Sequence, residues 1–211
     1  MTIDPTNAGG AGLIDRAKNI ILTPTVEFDR IDAETPNVQQ IYTGYVLPLA
    51  AVAAICGFIG ASVVGYSGFG VSYKVPIVAG LVGAVLRVVM GMVGVYVMAL
   101  ITNALAPSFG SQSNIGKAHQ LAAYGSTAGL LAGVFAIFPA LAVLGIVGLY
   151  SFYLWYVGLG KLMKTPDDKR IVYLLVVVVI AIVVYLVIGA VVGAVQMSMM
   201  GPIPGMPGYG V

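Results

Sequence analysis

The chain has 211 residues, of which 59% are hydrophobic and only 9% charged, with a net charge of +2; a soluble protein carries about a quarter charged residues. That balance excludes a water-soluble domain and, with no basic run, a nucleic-acid-binding one. The length suits one bundle of a few membrane spans, and the single cysteine, Cys56, excludes an internal disulfide.

The N-terminus begins polar and acidic, without a basic patch and short apolar core, so no cleavable signal peptide is expected and the first span does its own targeting. Leu13, Ile14, Ala17, Ile20 and Ile21 recur at helical spacing opposite Asp15, Arg16, Lys18 and Asn19. The pattern predicts a short amphipathic helix lying on the membrane surface; the alternative is a linker with chance periodicity. Thr23–Pro24 ends it. Thr25 is a candidate cap for a second short helix carrying Val26, Phe28 and Ile31, which stops before Thr35–Pro36.

A helix needs about 20 apolar residues to cross the hydrocarbon. Five stretches qualify, at about 45–65, 76–101, 121–137, 140–159 and 171–195. The third and fourth come from one uncharged run of about 40 residues, which would reach some 60 Å if straight; Phe138–Pro139 is the corner that folds it back. The fold class is therefore an all-α integral membrane protein with five transmembrane helices and an N-terminal amphipathic interfacial region. Residues 1–41 form that cytoplasmic region, 42–196 the membrane domain, and 197–211, rich in Pro and Gly, a flexible outer tail.

Lysine and arginine set the orientation. With the N-terminus inside, Arg16, Lys18, Arg30, Lys117, Lys161, Lys164, Lys169 and Arg170 all lie inside, and only Lys74 outside. Arg16, Lys18, Lys161, Lys164, Lys169 and Arg170 are candidates for a cytoplasmic surface that meets anionic lipid headgroups or a protein partner. His119 stands near Lys117 with no relay partner evident and reads as an interfacial polar residue. Met197, Met199, Met200 and Met206 read as membrane-edge filler and tail, with soft-metal binding as the alternative.

Arg87 is the one cation near mid-membrane, where insertion costs about 2.5–3.5 kcal/mol. No carboxylate lies in any span; Tyr150, Ser151 and Tyr185 fall at similar depth. The expectation is an interior site in which Arg87 donates to those residues; the functional version is an anion- or lipid-phosphate-binding site and the structural one a snorkelling arginine. Gly125, Gly129 and Gly133, and again Gly189 and Gly193, repeat at every fourth residue, which suits close helix packing within the bundle or a homo-oligomer seam.

The segments RAKNIILTPTVEFDRIDAE, YVLPLAAVAAICGFIG and AYGSTAGLLAGVFAIFPALAVLGIVGLYSFYLWYVGLGKLM resemble the Yip family of small multi-span membrane proteins, over roughly Leu13 to Gly193. The shared pattern is a proline near Pro24, an aromatic–small–Pro-Leu start to the first helix, a step near Tyr124–Ser126, a hairpin at Pro139 and the run Leu149–Leu159. The resemblance implies five spans and a cytosolic N-terminus. Eukaryotic relatives bind Rab-type GTPases in vesicle traffic and carry a longer N-terminal region with an acidic D-L-Y-G-P-type motif, which is not found here; the chain looks like a compact prokaryotic-type member.

No H-E-x-x-H, paired cysteines, P-loop or G-x-S-x-G is present, and no His or carboxylate stands among the helices to activate a Ser or Thr. The sequence thus predicts no catalytic, cofactor-binding or metal set. It points to a non-enzymatic scaffold or adaptor. A small channel or carrier for an anionic or neutral solute, built around Arg87, is the alternative.

Overall fold

The computed structural model describes residues 12–68 and 71–199. Among them five helices are long and apolar enough to cross a membrane: Val38–Val64, Ile77–Phe109, Ile115–Ile137, Val143–Leu162 and Asp167–Met199. The chain is an all-helical membrane protein, with one small antiparallel hairpin, Tyr66–Gly68 paired to Val71–Tyr73, joining the first two spans. Of the predicted tail, 197–199 continue the fifth helix, and 200–211 lie outside the described residues.

The first, third and fifth helices begin earlier than the apolar runs predict, and capping explains two of these. The Asn37 side chain accepts from the Gln40 amide at 3.0 Å, and Asn114 accepts from the Lys117 amide at 3.2 Å. Each cap starts a helix ahead of the hydrophobic stretch that signals it. Pro48 consequently sits inside the first span instead of in its first turn. The preceding turn widens to a π-helix at Tyr42–Val46, where the Leu47 N–H donates to Tyr42 O. That wider turn accommodates a ring that would clash with an ordinary helical carbonyl.

At the opposite end of the bundle Gly65, with φ of 84°, releases the chain from the first span into the hairpin. Phe138 is extended at φ −121° and ψ 110°, and the chain turns back at Pro139. The fourth span then opens as an 11-residue 3₁₀ stretch, Pro139–Leu149, before becoming α-helical at Tyr150. Such a run is long for this tighter helix.

Two helices precede the spans: α1, Leu13–Leu22, and α2, Pro24–Ala33. Pro24 takes the first helical position, where its missing N–H costs nothing. Thr25 lies within α2 and caps nothing; Thr23 precedes the helix and its hydroxyl donates to Asn19 O at 3.1 Å. These helices are docked against the bundle. Tyr150 OH donates to Ile21 O at 3.1 Å, Phe28 fits against Gly158, Lys161 meets Asp29 at 2.8 Å and Lys164 meets Asp32 at 2.5 Å. The hydrogen-bonded partners advance together along the chain, Ile21 at the end of α1 with Tyr150 and then Asp29 and Asp32 of α2 with Lys161 and Lys164, staying 129 to 132 residues apart. A constant separation means that α2 runs parallel to the fourth span, with the α1–α2 turn pointing along it. Ala17, Ile20, Phe28 and Ile31 are buried in the same core as Leu121, Leu154 and Leu159.

Candidate functional site

The third span is interrupted. One helical segment ends at Gly125 and the next starts at Thr127, with Ser126 between them at φ −85° and ψ 0°. The interruption lies ten residues from Ile115, about 15 Å into the span. A Gly-Ser pair is a recognised kink position. Hydroxyls take up the groups this frees: Ser126 donates to Ala122 O at 2.7 Å and Thr127 to Tyr124 O at 2.6 Å. From the fourth span, Ser151 Oγ accepts the Gly129 N–H at 2.9 Å. From the first, Tyr45 OH and Thr127 Oγ1 are 2.7 Å apart. Because Thr127 already donates to Tyr124, Tyr45 is the donor in that pair. Inside a bilayer each backbone group must find a partner in the protein, and here side chains supply them.

Beside this break is a cavity of about 390 Å³, lined mainly by apolar groups and by Ser126, Ser151, Trp155 and Tyr185. The Tyr185 side chain reaches Ser126. Two of the four residues predicted to form an intramembrane polar site, Ser151 and Tyr185, therefore line one cavity. The other two do not join them. Tyr150 is turned toward Ile21 O. Arg87 is exposed, lies over Gly57 and makes no hydrogen bond or ion pair among the described residues. Sequence depth matching placed Tyr185 level with Arg87, but Tyr185 lies against Gly94. That is seven residues, or about 10 Å, nearer the charged end. Apolar-run boundaries fixed the register wrongly because the second span runs on to Phe109, past the end of its apolar run, which leaves Arg87 off its centre.

The glycine rows divide. A Cβ at Gly125 would come 2.8 Å from the Trp155 ring, one at Gly133 2.6 Å from Ala53 Cβ, and one at Gly129 3.5 Å from Ser151 Oγ. That row builds the bundle. Gly189 and Gly193 have nothing within 4 Å.

At the charged end the cations predicted to face outward are mostly committed inward. Arg16 is buried between Glu27 at 2.9 Å and Glu34 at 2.6 Å, with its guanidinium 5.6 Å from the Tyr124 ring centre. Burial alone would lower its pKa; the hydrogen bond and charge of Glu34, with Tyr124 and Glu27, outweigh this and hold it above the ordinary value. Lys161 and Lys164 pair with Asp29 and Asp32, and Arg170 pairs with Asp167. Lys18 and Lys169 remain exposed with no ion pair among the described residues. Of the acids in the N-terminal region, Asp29 and Asp32 are thus partners of the basic turn, while Glu27 and Glu34 pair with Arg16. Lys117 is a further anchor: its ammonium donates to the carbonyls of Ile31, Asp32 and Glu34 at 3.2, 2.5 and 3.2 Å. It closes the C-terminus of α2, where the last carbonyls lack helical partners.

His119, expected at the interface, is buried. Its Nδ1 is 3.0 Å from Tyr42 OH, and its ring centre 4.9 Å from that of Tyr96. Nothing in the sequence pairs positions 42, 96 and 119; only the packing of the first, second and third spans brings them together.

The Yip1 domain matches residues 18–189. The chain is 31% identical over 117 residues to the inner membrane protein YohC of Escherichia coli strain K12, covering 55% of this chain and 60% of that protein. The same values hold for YohC of Escherichia coli O6:H1. The chain thus spans less than two thirds of the curated relatives it matches. No solved structure matches it. The matched region takes in α2, all five spans in whole or large part and the helix break, and the chain belongs to the Yip1 domain family.

Proposed function

We propose that this integral membrane protein is a non-enzymatic scaffold of the Yip type in a prokaryotic cytoplasmic membrane, with its N-terminus in the cytoplasm. The observation that carries the reading is the α1–α2 pair, which is fastened to the third and fourth spans by Lys117, Lys161 and Lys164. A tethered linker would not spend its charges this way. The result is a rigid cap at one end of the bundle, with Lys18 and Lys169 left free to meet lipid headgroups or a protein. The asymmetry of basic residues assigns that end to the cytoplasm, and the inner-membrane relatives support the location.

A carrier reading needs a polar site on a transport path. Arg87 lies away from the cavity, so that reading loses its centre. The test is paired. Purified protein in liposomes is expected to pass neither anionic nor neutral solutes. A photo-crosslinker at Lys18 or Lys169 in native membranes is expected to give a discrete adduct that one at Gly189 does not. Solute flux above that of empty vesicles would overturn the scaffold reading.

A further inference from the structure

We propose that the α1–α2 hairpin stands upright in the leaflet at the charged end, with its turn among lipid acyl chains. Three observations converge on this. The first is direction: Ile21 of α1, beside the turn, touches Tyr150, while Asp32 near the far end of α2 meets Lys164, so the hairpin follows the course of a membrane-spanning helix. Tyr150 lies eleven residues from Lys161, about 16 Å along the span. That distance is comparable to half of a hydrocarbon core of about 30 Å.

The second is the distribution of exposed side chains. At the turn the large ones are Leu22 and Val26, at 66% and 64% exposure, with the small hydroxyl side chains of Thr23 and Thr25 exposed between them and Pro24 buried. The fourth span at that level exposes Leu149, Phe152 and Tyr153, so the turn continues a surface that already faces lipid. The third is charge. Lys18 and Arg30 stand exposed four residues from Leu22 and Val26, about 6 Å farther from the turn. Long basic side chains reach several ångström further toward the headgroups. Together these set a depth near the 5–10 Å at which interfacial helices bury their apolar groups. The occupant of the exposed tip is therefore lipid acyl chain, and the phosphate layer meets Lys18 and Arg30.

The arrangement differs measurably from a helix resting flat on the surface. Ile14 and Leu22 both face outward on α1, eight residues apart. Flat, they would sit at one depth; upright, Leu22 lies about 12 Å deeper. In a Cys56→Ala background, Ile14→Cys and Leu22→Cys are each labelled with a small fluorophore. The proteins are reconstituted in phosphatidylcholine vesicles carrying bromine at defined chain positions. The expected result is strong quenching of the Leu22 label by chain bromines, with the Ile14 label reached only near the headgroups. Equal depths for both labels would overturn the proposal, and so would absence of quenching at Leu22. Both sites are exposed, so the labels leave the core undisturbed.

Discussion

The capped end of the bundle and the far segments of the fourth and fifth spans are built on different physics. Around α1–α2 the contacts are directional: the Arg16–Glu27 pair, the Lys117 bonds to three carbonyls, and Phe109 stacked on Tyr173 with ring centres 4.4 Å apart. At the far end, no described side chain of Pro139–Leu149 is buried, and Gly91, Gly145, Gly189 and Gly193 have nothing within 4 Å. Lipid tails are as apolar as leucine, so burial alone holds helices together weakly in a membrane. The molecule spends its specific interactions at one end and leaves the other to the bilayer.

The largest expected break in that contrast comes from Arg16→Ala. It leaves Glu27, 2% exposed, with Arg30 at 3.3 Å as its remaining cation. Breaking a buried pair in this way costs about 3–5 kcal/mol. Thermal unfolding in mild detergent should show the loss, and protease should then cut between α1 and α2. Next come the glycines. Gly125→Leu and Gly133→Leu force side chains into Trp155 and Ala53, for about 1–3 kcal/mol of overpacking. Gly189→Leu and Gly193→Leu should stay within about 0.5 kcal/mol in the same assay. Native mass spectra of the last two would expose a homo-oligomer seam if they lowered the mass of the assembly.

Tyr45→Phe removes one hydroxyl from the helix break and should cost about 0.6–1.5 kcal/mol. Arg87→Leu should change stability by no more than about 0.5 kcal/mol, because the guanidinium has no hydrogen-bonding partner to lose among the described residues. A loss of several times that amount would restore an interior role for Arg87.

Much of the architecture was legible in the residues. The uncharged runs marked the spans, Pro139 the corner, and the spacing of Leu13, Ala17 and Ile20 the first helix. The docking of α1–α2 was not legible, because it rests on pairs such as Asp29–Lys161 and Asp32–Lys164 that are 132 residues apart. Each half reads locally as a solvated charged segment. Arg87 was misplaced for a related reason: depth counted from apolar boundaries carries the error of those boundaries and says nothing of which side a residue faces. The break at Ser126 had a usable signal in Gly125–Ser126, but the glycine was read as part of a packing row and of the family's step near Tyr124–Ser126, and not as a helix break.

Hydrogen–deuterium exchange resolved by peptide, on the protein in lipid nanodiscs, tests the central claim most directly. If α1–α2 is a fixed part of the bundle, its amides from Arg16 to Ile31 should exchange as slowly as those of Ile115–Gly125. Exchange of that segment within seconds, at the rate of an unstructured chain, would contradict the account.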